Sequence, residues 1–190
     1  MPAPFEIVAG LMDAYLAPVA TAFPALNAAP AGAWIKLGAG GVKDYTEDGL
    51  VIRHEEADQV IRSLGTTGPR KAFRETEDVF IELTLIDATA ESIQAALNQN
   101  PITVVAGPPA SKDIALLEGQ SVNLRALLVR GVLSPYLDTA NYFQYEVPIV
   151  FQKGNIEMAF KKAVPIGMKL QFQALQDDVL GLGKIRIPTA

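Results

Sequence analysis

The chain carries a single histidine, His54, and no cysteine. A hydrolase triad or a histidine-based metal site would have to rest on His54 alone. Its neighbours Glu55 and Glu56 are adjacent in a segment that alternates like a strand. On a strand they point to opposite faces and cannot cooperate as an acid/base pair. His54 therefore reads as a surface residue. The missing thiols exclude disulfides, thiolate nucleophiles and thiolate zinc sites, and leave the compartment open.

Two further motifs invite chemistry. The glycine cluster Gly38-Ala-Gly40-Gly41 matches neither the dinucleotide fingerprint nor the phosphate loop, and it reads as an ordinary loop. The run Asp44-Tyr-Thr-Glu-Asp48-Gly49, continuing to Glu55, puts acids at positions 1, 5 and 12 of an EF-hand loop and glycine at 6. Thr46 is weak at the third position. An EF-hand also needs an entering helix, which Gly38–Gly41 forbids, and the residues after Gly49 alternate like a strand. An acidic loop without metal is the expectation, and no cofactor or catalytic residue is assigned.

The elements that must carry these residues are mostly strands. Met12–Ala17 is a strand candidate, and Pro18 to Gly32 is an extended arm, because its prolines forbid a long helix. Trp34–Leu37 is a short strand. Leu50–Glu56 alternates, Gln59–Leu64 fits strand or helix, and a turn follows at Gly65-Thr-Thr-Gly68-Pro69. Phe73–Asp87 is the clearest strand, with Val79, Ile81, Leu83 and Leu85 on one face and Phe80, Glu82, Thr84 and Ile86 on the other. One helix is expected, capped by Thr89, striped by Ile93, Ala96 and Leu97, and stopped at Asn100-Pro101.

Strands return in Val122–Leu133, Tyr142–Gln152 and Gly167–Leu175. In the second of these, Phe143, Tyr145, Val147, Ile149 and Phe151 share a face opposed by Gln144, Glu146 and Gln152. Pro148 implies a bulge or an edge there, since it cannot donate to a ladder. One-sided alternation with a single helix indicates a mainly β, antiparallel β-sandwich or barrel with one flanking α-helix. No repeat or boundary divides the chain, so residues 1–190 are expected to form one domain, with 1–32 as its N-terminal strand and arm.

The bulk numbers agree with a globular chain. Of 190 residues, 49% are apolar and only 19% charged, which suits a protein that buries its flanks against copies of itself. The net charge of -5 argues against a nucleic-acid binder that needs a basic stripe. Residues 1–95 hold 14 acids and 7 bases and residues 96–190 hold 7 acids and 9 bases, a polarity that could favour head-to-tail contacts. The stretch from Ile7 to Ile35 is cut by Asp13, Pro18, Pro24 and Pro30 and cannot be a membrane helix. No base precedes Lys36, so a signal peptide is not expected and assembly in the cytoplasm is.

Several segments in order resemble the major tail-tube proteins of long-tailed, siphovirus-type bacteriophages. Tyr15-Leu-Ala-Pro18, Thr21-Ala-Phe-Pro24 and Trp34-Ile-Lys-Leu-Gly38 resemble that family's N-terminal strand and arm. Asp44-Tyr-Thr-Glu-Asp-Gly49, Val51-Ile-Arg-His-Glu-Glu56 and Leu64-Gly-Thr-Thr-Gly-Pro69 are similar to its first hairpin region. Glu77 to Leu85, passing into Asp87 to Leu97, looks like its long strand and helix. The likeness covers roughly residues 10–100, with the rest matching only by pattern.

The resemblance implies a structural virion protein with no enzymatic activity, self-assembled into stacked homohexameric rings. The hollow tube would enclose the tape-measure protein and conduct phage DNA during ejection without binding it specifically. Tail terminator and tail-tip or initiator proteins would be its other partners, the virion tail its location, and the host cytoplasm its place of assembly. Gly38, Gly40, Gly41, Asp44, Asp48, Gly65, Gly68 and Pro69 are the candidate inter-ring loop residues. Glu82, Thr84, Gln144 and Glu146 are the candidate lumen-facing residues, since basic side chains there would hold phosphates. The alternatives are a contractile-type tube or decoration protein, a monomeric β-barrel that binds a small ligand, and a β-sandwich hydrolase.

Overall fold

The computed structural model describes residues 12–38, 44–86, 89–116, 121–132, 142–154, 158 and 167–187. Its strands are β1 (Met12–Pro18), β2 (Ile35–Lys36), β3 (Tyr45–Ile61), β4 (Lys71–Leu85), β5 (Ile102–Val105), β6 (Ser111–Ile114), β7 (Arg125–Val132), β8 (Tyr142–Gln152), β9 (Met168–Ala174) and β10 (Lys184–Arg186). Among the described residues one α-helix, α1 (Ala90–Ala96), interrupts them. The fold is mainly β and antiparallel with one helix, the class expected from one-sided alternation.

The principal sheet has eight strands in the order β2-β1-β7-β8-β9-β4-β3, with β10 added to β8, while β5 and β6 form a separate hairpin. Alternation decides which face of each strand is buried. Val79, Ile81, Leu83 and Leu85 of β4 pack with Met168, Leu170, Phe172 and Ala174 of β9, Leu127 and Val129 of β7, and Ala14 and Leu16 of β1. Ala95 and Ala96 bring α1 onto the same core. Thr89 caps the helix as its side-chain oxygen accepts from the Ser92 amide at 3.2 Å, satisfying one orphan donor of the first turn.

Pro148 does what its missing amide requires. The β7–β8 register shifts where Arg125 faces Val150 and Leu127 faces Val147, so Pro148 and Ile149 oppose Ala126 alone. On its other edge β8 pairs β10 over Gln144–Glu146 and β9 over Val150–Gln152. The bulge also corrects the expected phase of β8. Tyr145 and Val147 enter the core as anticipated, but the extra residue puts Val150, rather than Ile149, in the next core position.

The arm covers the opposite side of β1 and β7. Trp34 packs on Ala17, Ala126 and Leu128, with Phe23 against its ring at 5.2 Å between centroids. The Trp34 indole donates to the Ala22 carbonyl at 3.1 Å, which ties the arm to itself.

Candidate functional site

Beyond the core, the surfaces most able to do something are a polar sheet face and a long ribbon. On the outer face of β4, Glu82 sits opposite Val51 of β3 and Gln171 of β9. It is only 9% exposed and is held from three sides. The Arg53 guanidinium donates to one carboxylate oxygen, which also accepts from Gln171 Nε2 at 2.7 Å, and Lys169 Nζ lies 3.0 Å from the other. The hydrogen bonds from Arg53, the larger cause, and from Lys169 hold the Glu82 carboxyl below its ordinary range. Thr84 is half-buried and pairs with Lys169, while Gln173 donates to Asp78 at 2.8 Å. Lys153 stands 4.6 Å over the Phe80 ring. This face carries charges of both signs, largely paired.

Gln144 and Glu146 are placed differently from the expectation that they face a lumen. Both are fully buried. Gln144 Nε2 donates to the Pro24 carbonyl at 3.0 Å, under the arm. Glu146 meets Lys184 at 3.3 Å and Arg186 at 3.1 Å, both from β10. Nearby, Arg130 donates to the Leu26 carbonyl at 2.8 Å and to that of Ala28, and its guanidinium stacks 3.9 Å over Tyr142. The polar face of β7 and β8 is thus an inner seat for the arm and the C-terminal strand. Alternation located these side chains on one face, but an arm carbonyl supplies the partner of Gln144 and β10 supplies those of Glu146, and such contacts leave no residue pattern to read.

The ribbon is the outer half of β3 and β4. From Arg53 to Ile61 and from Lys71 to Glu77 every residue is exposed, although the two strands pair rung by rung. A bulge falls between Ala57 and Asp58, where Glu75 is the extra residue on β4. The turn is closed by the Arg70 amide donating to the Ile61 carbonyl at 2.9 Å. At the root, the His54 ring contacts the Tyr145 hydroxyl of β8, beside a groove of about 680 Å3 lined by Glu77 and Leu182.

The candidate inter-ring residues fall at opposite ends of β3. Gly65, Gly68 and Pro69 are exposed at the ribbon tip, and the two glycines face open space. Gly38 is buried at the other end with φ +81, where an added Cβ would lie 3.1 Å from Asp44 Cβ. Asp48 is exposed on β3, Asp44 precedes the strand, and Gly40 and Gly41 lie outside the described residues. The structure spreads the EF-hand-like acids from just before that strand to its middle. Asp48 lies in the bulge before Leu50, where the regular β3–β4 register begins, and Glu55 stands five residues further on, roughly 15 Å along the strand, too far for carboxylates to converge on one cation.

No protein-family model matches the chain, and no curated protein is similar to it in sequence. One solved structure, the tail of an empty GTA particle refined helically with C6 symmetry, aligns over 95% of this chain and 96% of that one. Its identity to this chain is 8% and its TM-score 0.41, so the functional reading rests on this chain's own residues.

Proposed function

We propose that the chain is a structural subunit of a bacteriophage tail, the major tube protein that stacks as homohexameric rings into a hollow conduit. One observation carries the proposal. Strand β3 is a 17-residue edge strand at the end of the sheet, and with β4 it continues into a ribbon exposed on both faces. A long free edge is a template for pairing with another chain, and a two-stranded ribbon is marginal without a partner. Edge-to-edge closure of such sheets into a ring would satisfy both.

In that arrangement the outer face of β4 and β9, with Glu82 and Thr84, lines the lumen. Its lysine and arginine are paired with acid or seated on an aromatic ring, which leaves few free cations to hold DNA phosphates. Gln144, bonded to the arm, and Glu146, paired with β10, are fully buried and are not offered as lumen residues. The ribbon tip and the Gly38–Asp48 end of β3 contact successive rings. Tape-measure protein would fill the tube, terminator and tip proteins would close its ends, and the subunit itself catalyses nothing.

Sedimentation velocity over a wide concentration range tests the proposal. Growth from monomer to hexamer and to larger multiples supports it. A monomer that persists, alone and with tail initiator proteins, contradicts it and favours the alternative of a ligand-binding barrel.

A further inference from the structure

The ribbon is electrically divided along its length. Its tip, from Gln59 to Phe73, carries Arg62, Arg70 and Lys71 and no acid. Its shaft carries Glu55, Glu56, Asp58, Glu75, Glu77 and Asp78. Within the shaft two neighbouring rungs oppose like charges directly, Glu55 against Asp78 and Glu56 against Glu77. Such rungs are destabilising unless a cation attends them. Arg74 serves one rung, at 2.6 Å from Glu56 and 3.9 Å from Glu77, and it also reaches Asp58. The other rung has no salt bridge among the described residues; Asp78 accepts from the Gln173 amide, and Arg53, committed to Glu82, acts on Glu55 only at longer range. Glu55 and Glu75 make no ion pair among the described residues, and neither do Arg62, Arg70 and Lys71.

Each chain therefore holds a basic tip with no carboxylate partner, its Lys71 resting 4.6 Å over the Phe73 ring, and an under-neutralised acidic shaft on one exposed element. The tip cannot fold back on its own shaft, because the paired strands hold the ribbon extended. A second copy, shifted by roughly 15–20 Å along the ribbon, brings tip to shaft. The same shift covers Val60, Ile61 and Phe73, which are between 45% and 48% exposed. We infer that the β3–β4 ribbon is a charge-bipolar docking arm whose basic tip seats on the acidic shaft of another copy of this chain. The inference rests on the self-assembly proposed above and identifies the contact that drives it.

Two charge-reversed chains test it, Arg62→Glu/Arg70→Glu/Lys71→Glu at the tip and Glu55→Lys/Glu75→Lys on the shaft. These positions are exposed and outside the Arg74 ion pairs, so circular dichroism should show an intact fold. Each variant alone should associate at least tenfold more weakly than the unmodified chain. An equimolar mixture should recover association, because each unmodified basic tip can then seat on an unmodified acidic shaft while each reversed tip meets lysines at positions 55 and 75. Raising salt from about 0.05 M to about 0.5 M should weaken the unmodified chain in parallel, which tests the contact without any substitution.

Association indifferent to both reversals and to salt overturns the inference while leaving self-assembly standing. An unmodified chain that stays monomeric at every salt concentration overturns both. Association that appears only with added divalent cation, or tips that bind nucleic acid in preference to a second copy, also overturns it.

Discussion

The Tyr45 hydroxyl accepts a hydrogen bond from the Ala14 amide at 3.1 Å, although the strands bearing them lie near opposite ends of the sheet. The same hydroxyl donates to the Leu37 carbonyl at 2.9 Å. One phenol thus joins β3 to β1 and to the residue after β2 and holds the curled sheet together where no ladder runs. Tyr45 is 8% exposed, and burial pushes its pKa up to about 12. Because the folded state keeps the proton that the unfolded chain loses near 10, this stability is complete below pH 10 and disappears as pH rises to about 12.

Tyr45→Phe should cost about 1–3 kcal/mol at neutral pH, since it leaves the buried Ala14 amide without its acceptor. Denaturant melts at neutral pH and at high pH measure this. The loss of stability on alkaline titration should be smaller in the variant. An equal alkaline loss in both proteins would place the responsible proton elsewhere.

Glu82 supplies the opposite limb. Its carboxyl lies below the ordinary 4.5 because of Arg53 first and Lys169 second, so its contribution is present above that pH and is lost as pH falls through the folded value. Glu82→Gln should lower stability at neutral pH by about 1 kcal/mol, discounted because both cations are about half exposed. Acid melts should flatten correspondingly. An unchanged acid limb would show that other carboxylates govern it.

At Gly183 the chain approaches β8 so closely that an added Cβ would sit 2.5 Å from the Glu146 carbonyl oxygen, at φ +143. Gly183→Ala should displace β10 and cost about 1–3 kcal/mol. Amide exchange should quicken in Lys184–Arg186 and in Gln144–Glu146, which pair with them. Exchange confined to other segments would mean that β10 docks without this close approach.

Much of the fold was legible in particular residues. The alternation of Val79 to Leu85 and of Met168 to Phe172 marked two strands and their buried faces, because burial on one side imposes period two. Thr89 marked the helix start, and Pro148 marked the bulge. The phase beyond Pro148 was not legible, since an inserted residue shifts every later side chain without changing residue types. Strands β5, β6 and β10 are four, four and three residues long, too short for periodicity to register. The burial of Gln144 and Glu146 involves partners far off in the chain, the Pro24 carbonyl 120 residues before Gln144 and the β10 cations Lys184 and Arg186 beside Glu146, which no local pattern encodes.

The acids Asp44, Asp48 and Glu55 separate two chemistries for one segment. Spread from just before β3 to its middle, they should bind no calcium in the micromolar range, and calcium should leave the melting temperature unchanged. Calorimetric titration of the wild type and of Asp48→Ala checks this. Micromolar binding that vanishes in the variant would mean that the strand reorganises to make a site.

Electron imaging of the purified chain at rising concentration, with image averaging for rotational symmetry, decides whether this is a tube subunit. Sixfold rings that stack end on end into hollow tubes are the expected result. A field of dispersed single subunits at every concentration, with or without tail initiator proteins, would contradict it.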